Sequence, residues 1–313
     1  MTATYIILPR RTASAALFSY NASLSMTGFI FIMFNQLFAY SQYLLPQHLL
    51  SALAGRLAES RSPRLKNSLI RFFIHRYKVD LSEAISENLD DYPTFNSFFI
   101  RQLKPGIRPL ALAPEAVISP VDGRVAALGK INQNQLLQAK KHYYNLETLL
   151  GNDKELATLF SDGDFATLYL APQNYHRVHM PLSGTLTKSI YVPGKLFSVN
   201  RITSELIPNL YSRNERLISL FDTEAGKMAM ILVGAMIVGS IQTVWMTQPI
   251  RSHQMITETF TNGLTLQKSA ELGYFKMGST VILLFEKNKV TWSPSFKTNS
   301  AIHFGQFLGK IAK

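Results

Sequence analysis

A carboxylate, an imidazole and a hydroxyl are the parts of an activated serine, and the chain offers them in three short stretches. Pro120-Val121-Asp122-Gly123 places an acid in a turn beside an apolar run. Tyr175-His176-Arg177-Val178-His179-Met180-Pro181 holds two of the seven histidines three residues apart, with an arginine between them. Gly278-Ser279-Thr280 puts a hydroxyl between a residue without a side chain and the apolar run Val281–Phe285. A serine is a poor nucleophile near neutral pH until a base takes its proton. A histidine does this best when a carboxylate fixes its tautomer. Glycine before the serine leaves the preceding carbonyl open to attack.

Taken singly these stretches say little, since Asp-Gly pairs make turns and Gly-Ser-Thr triplets make loops. Zinc binding by the histidine pair is disfavoured. The glutamate of a zincin helix is missing, and Pro172 and Pro181 bracket the segment against helix formation. No G-x-S-x-G elbow surrounds Ser279, which weighs against an ordinary serine hydrolase. The absence of cysteine excludes disulfides, thiolate metal sites and cysteine nucleophiles.

The elements that must position these residues show in the texture of the chain. From Ile118 onward, short β-type runs alternate with Gly, Pro and Asn, and Phe165–Leu170, Thr185–Val192 and Val281–Phe285 all predict strands. The apolar run Met228–Trp245 is punctuated by Gly234, Gly239 and Gln242, which predicts two buried strands meeting at a turn, in preference to a membrane span.

The first third is different. No Lys, Arg, Asp or Glu lies between Arg11 and Arg56, yet polar residues and Pro46 interrupt the run. Its least polar part, Gly28 to Met33, is far shorter than the ~20 residues of a spanning helix. An interfacial helix is expected there, with Met33 as an alternative chain start. Ser62 and Pro63 then open a helix in which Leu65, Leu69, Phe73 and Tyr77 recur at helical spacing among basic residues. Such a helix suits either an anionic bilayer surface or the flank of its own domain. The net charge of +12 also fits an anionic membrane, whereas no nucleic-acid-binding pattern is present. Phe95-Asn96-Ser97-Phe98-Phe99-Ile100-Arg101 reads as a helix end and a loop.

In their order along the chain, PVDG, YHRVHMP and the GST that follows ELGYFKM resemble the signature set of the phosphatidylserine decarboxylase family. The segment FNSFFIRQLKPGIRP and Tyr211–Arg216 (YSRNER) resemble it too, and the likeness runs from about Met33 to the C-terminus. Met277 stands where bacterial members commonly carry leucine, a swap of similar volume. The resemblance implies that Ser279 attacks the carbonyl of Gly278, with His179 as base and Asp122 orienting it. Cleavage between Gly278 and Ser279 would leave a β chain, 1–278, and an α chain, 279–313, held together. Ser279 would become a covalent pyruvoyl group that forms a Schiff base with the amine of phosphatidylserine and takes up the charge left by CO2. His176 is the candidate for the decarboxylation step, and Arg177 and Arg101 are candidates for the headgroup phosphate.

The expected fold class is therefore α+β, with N-terminal amphipathic helices before a β-rich catalytic domain of short strands. The expected division is an N-terminal extension, 1–32, a helical membrane-associating region, 33–110, and a catalytic domain, 111–313. The expected product is phosphatidylethanolamine, made at the cytoplasmic face of a bacterial membrane by a peripheral enzyme; a homodimer is compatible with this. Two rival readings stay open: a Ser-His-Asp hydrolase acting on a lipid ester, and a non-catalytic lipid-binding module.

Overall fold

The structure, a computed structural model, describes residues 26–139, 142–236, 240–250, 252–276 and 279–312. Gly278 and residues 1–25 lie outside these. The chain divides into two compact units, Met1–Leu44 and Leu45–Lys313. In the first, a helix runs over Met26–Ser41 and continues through Met33. It exposes Phe31, Phe34 and Leu37. Among the described residues no helix is long and apolar enough to cross a membrane.

In the second unit an antiparallel sheet of eight strands forms the frame. Its spatial order is Ile256–Leu266, Gly184–Val192, Arg216–Thr223, Gly226–Val233, Ser279–Phe285, Asp164–Leu170, Gly123–Lys130 and Ala301–Ile302. The three strands expected in this domain are all there, and the α+β class holds. Ser279–Phe285 is buried at every position and sits between Gly226–Val233 and Asp164–Leu170, with which it shares full ladders. Both faces of this strand are covered, which is why its sequence is continuously apolar from Val281 on, not alternating. Each buried Val, Ile or Leu here contributes roughly 1.5–3 kcal/mol.

The run Met228–Trp245 does contain two strands, but they do not pair with each other. Gly226–Val233 belongs to the large sheet, whereas Ile241–Thr243 lies in a three-stranded sheet with Glu271–Phe275 and Arg177–His179. This smaller sheet joins the ELGYF and HRVH segments. Gly273 is required in it: a Cβ there would lie 2.2 Å from the carbonyl oxygen of Gln242. YSRNER proves to be a structural knot. Arg216 is buried and donates to the carbonyls of Thr148, Leu149, Ser212 and Asn214.

The helix Pro63–Tyr77 starts where expected, although the Ser62 hydroxyl makes no capping bond. Its apolar face turns inward. Leu69, Ile70, Phe73, Ile74 and Tyr77 pack with Tyr92, Phe95, Phe98 and Phe99. Phe73 alone meets Phe95, Phe98 and Phe99 edge-on at 5.3–6.1 Å. The aromatic residues of Phe95–Phe99 offer that face a partner within the domain, as the second of the two alternatives has it. A capping box of Thr94 and Ser97 starts the short helix Phe95–Phe99. The exposed apolar stripe belongs instead to Gln47–Ala58, where Leu49, Leu53 and Leu57 recur every four residues.

Candidate active site

The large sheet and the smaller one bring PVDG and YHRVHMP together, and set Ser279 opposite the residue that precedes the carbonyl partner of His176. The turn at 119–122 feeds directly into Gly123–Lys130, and Gly123 lets the neighbouring strand approach closely. A Cβ at that position would lie 2.3 Å from the carbonyl oxygen of Tyr169. The backbone N–H of His179 donates to Pro120 at 2.9 Å, and that of Ile118 donates to Pro181, so PVDG and YHRVHMP are clipped together. Ser279 begins its strand opposite Leu170. The next carbonyl, that of Ala171, accepts from Nε2 of His176 at 3.1 Å.

The histidine environments define their tautomers. Nδ1 of His179 lies 2.9 Å from the carbonyl oxygen of Ser269, which accepts only, so Nδ1 carries the proton. Nε2 keeps its lone pair and receives the hydroxyl of Tyr175 at 3.0 Å. Phe304 stacks on the ring, centroids 3.8 Å apart. Burial holds the His179 pKa below the usual imidazole value. The Ser269 bond and the charges of Glu271 and Asp122 oppose that shift, whereas the charge of Arg177 adds to it. His176 is fully buried and stacks on Phe99 at 4.1 Å. Its pKa is lowered from 6.5 to about 3, first by burial and then by the charge of Arg101. It is therefore neutral, with Nε2–H bound to Ala171 and a buried Nδ1 that has no hydrogen-bond partner among the described residues.

Asp122 does not touch His179 through its carboxylate. It accepts from Arg108 Nη2 at 2.7 Å and Nε at 3.1 Å, and from the backbone N–H of Phe304 at 2.8 Å. Arg108 also pairs with Glu83. Burial works against its charge, but the bonds to Glu83 and Asp122 outweigh that and raise its pKa. Asp122 thus reaches His179 through the Phe304 that it anchors and through its field. The group on Nδ1 is the Ser269 carbonyl. Ser279 is fully buried, and its Oγ has no hydrogen-bond partner among the described residues. No group of three or more His, Asp or Glu placed to hold a metal occurs among the described residues. A cavity of about 280 Å³ opens beside this cluster, lined by Tyr175, His179, Glu271, Phe304 and the loop from Gln102 to Arg108.

A sequence model of the phosphatidylserine decarboxylase family matches residues 95–310, and a second, described as PSD, matches 37–78. The chain belongs to the phosphatidylserine decarboxylase family. Its relatives include the phosphatidylserine decarboxylase proenzyme of Marinobacter nauticus, 49% identical over 283 residues, covering 89% of this chain and 99% of that one. The proenzymes of Pseudomonas putida (strain GB-1) and Azotobacter vinelandii are each 50% identical, covering 88% and 89% of this chain and 98% and 99% of their own.

For this member of the phosphatidylserine decarboxylase family, several site residues escaped the sequence reading. Arg108 lay in the quoted segment FNSFFIRQLKPGIRP but carried no pattern of its own. Phe304 and Ser269 gave no signal at all, because stacking and a backbone carbonyl leave no signature in residue type. Arg177, named for a phosphate, is already committed: Nε donates to the Ile100 carbonyl and Nη1 pairs with Glu271 at 2.7 Å.

Proposed function

We propose that the chain is a self-processing proenzyme that becomes a pyruvoyl-dependent decarboxylase, converting phosphatidylserine to phosphatidylethanolamine and CO2. The observation that carries this reading is the hydroxyl of Ser279. It is buried, without a partner among the described residues, at the first position of a central strand whose neighbouring loop holds His176. A buried hydroxyl left unpaired costs about 1–3 kcal/mol and calls for a purpose. Membership of a family whose named relatives are proenzymes supports the same conclusion.

In this reading the Ser279 hydroxyl gives up its proton to His179 and attacks the carbonyl carbon of Gly278. The peptide C–N bond breaks as the ester C–O bond forms. Loss of the Ser279 Cα proton then expels Gly278 as a carboxylate, and water releases the former amine as ammonia. The residues fit this chemistry: the tautomer that Ser269 imposes leaves Nε2 as the base. The negative charge of Asp122 favours the imidazolium that forms as Nε2 takes the proton. Once formed, a pyruvoyl group at position 279 supplies an electron sink for the charge left by departing CO2. His176, buried and neutral beside that position, handles the proton at the substrate's α-carbon.

Attachment is peripheral, through exposed apolar side chains that include Leu49, Leu53 and Leu57, at the cytoplasmic face of a bacterial membrane. The hydrolase reading fares worse, since Ser279 opens a buried strand and has no exposed elbow. Intact-mass measurement of the wild type beside Ser279→Ala tests the proposal. Two fragments are expected, the second starting with a pyruvoyl at position 279, with a single chain in the variant. Membranes containing phosphatidylserine should release CO2 with the wild type alone. An uncleaved wild type labelled at Ser279 by a fluorophosphonate would establish the hydrolase instead.

A further inference from the structure

The arginines around the site differ in one respect. Arg108 and Arg177 pair with carboxylates, and Arg216 spends its donors on four backbone carbonyls. Arg101 is 5% exposed, yet no carboxylate lies within ion-pairing distance of it among the described residues. Its Nη2 donates to the carbonyl of Gln173 at 3.0 Å, whereas Nε and Nη1 have no partner among the described residues. Phe98 lies 5.5 Å beneath the guanidinium. A buried cation with two donor nitrogens unpaired is costly, and folds keep such groups where a ligand completes them.

Its position ties it to the reacting centre. Three successive residues clasp the stretch from Gln173 to Arg177: Phe99 stacks on His176, Ile100 accepts from Arg177, and Arg101 holds Gln173. Gln102 and Leu103, which follow, line the cavity shared with Tyr175 and His179. The charge of Arg101 also acts on His176, whose carbonyl partner Ala171 follows the residue paired with Ser279.

We propose that Arg101 is the residue that binds the substrate's oxyanion, and specifically the phosphodiester of the headgroup. This rests on the decarboxylase reading above. Phosphatidylserine offers two oxyanions, a phosphodiester and a carboxylate. A guanidinium on the carboxylate would stabilise a charge that must vanish as CO2 leaves, which opposes the reaction. The phosphodiester keeps its charge throughout, so pairing it with Arg101 strengthens ground state and transition state alike. Such binding lowers KM and leaves kcat in place.

The test compares mature wild type, Arg101→Gln and Arg101→Lys. Glycerophosphoethanolamine has the phosphodiester without the carboxylate, and L-serine has the reverse. Calorimetry with both probes is set beside kcat and KM on a soluble short-chain phosphatidylserine. Arg101→Gln is expected to weaken glycerophosphoethanolamine binding and raise KM on the order of 30-fold or more. Serine binding and kcat should hold, with Arg101→Lys in between. Loss of serine binding instead would reassign Arg101 to the carboxylate, and unchanged binding of both probes would overturn the proposal. Cleavage and melting temperature report folding of the variants, and a misfolded Arg101→Gln leaves Arg101→Lys to decide through the same two probes. A wild type that neither cleaves nor releases CO2 would strike at the decarboxylase reading, whereas the probe affinities bear on Arg101 directly.

Discussion

Tyr175 donates its hydroxyl to Nε2 of His179 at 3.0 Å, the nitrogen that the Ser269 carbonyl leaves unprotonated on the other side of the ring. The bond stabilises the neutral imidazole and occupies the lone pair that the proposed cleavage needs. Tyr175 is thus a restraint on the base as well as its anchor. In Tyr175→Phe, Nε2 loses a donor that favours the neutral form, so the His179 pKa rises. The acid limb of the cleavage rate against pH should move to higher pH, by roughly half a unit to one unit for a bond of this kind. A profile that does not move would show that the hydroxyl has no hold on the base.

His176 gives a pH dependence whose sign follows from its environment. Burial and the charge of Arg101 bring its pKa from 6.5 to about 3, so the unfolded chain binds a proton between those values that the folded chain refuses. Stability therefore falls as pH drops below about 6.5 and is unaffected by this group above it. His176→Gln removes the titration. Melting temperatures of wild type and variant, measured from pH 8 to pH 4, should converge or cross as pH falls. A constant gap would contradict a neutral buried imidazole.

The central strand should hold the two products of cleavage together. Leu283 is fully buried on a strand hydrogen-bonded on both sides. Leu283→Ala is expected to cost about 2–5 kcal/mol. The wild-type pieces should elute together in gel filtration and separate only in denaturant, with the variant separating at lower denaturant. Pieces that part under native conditions would refute this.

Vesicle binding should follow the exposed leucines and not the buried aromatics. Leu53→Glu with Leu57→Glu places charge on the exposed stripe of Gln47–Ala58. Sedimentation with phosphatidylserine vesicles should fall at least tenfold, since two large apolar contacts are each worth roughly 1.5–3 kcal/mol. Cleavage should proceed unchanged. Equal sedimentation would remove this helix from the membrane surface.

How much of this could be read from the chain depends on the range of each interaction. Phe165–Leu170 and Val281–Phe285 announced themselves because their burial is written in consecutive residues, and Thr185–Val192 through its β-branched residues. Their order in the sheet did not, since Ser279–Phe285 slots between strands distant from it in sequence. Asp122, His176, His179 and Ser279 were visible as residue types. The partners that decide their state were not: Ser269 acts through a carbonyl that every residue possesses, Arg108 sits in an aperiodic loop, and Phe304 acts by stacking. The face of Pro63–Tyr77 was legible as apolar, but what covers it, Phe95 to Phe99, was not.

The place of Ser279–Phe285 also governs timing. Synthesis runs from the N-terminus, so this strand is made after six of the other seven strands of its sheet, yet it fills the middle. Until it leaves the ribosome, Gly226–Val233 and Asp164–Leu170 face an empty slot, and Ser279 is not yet in its buried place. The proposed cut then waits for this strand. A product terminated before it could never arm itself, and the catalyst would be switched on once per molecule, only after the sheet has received its central strand.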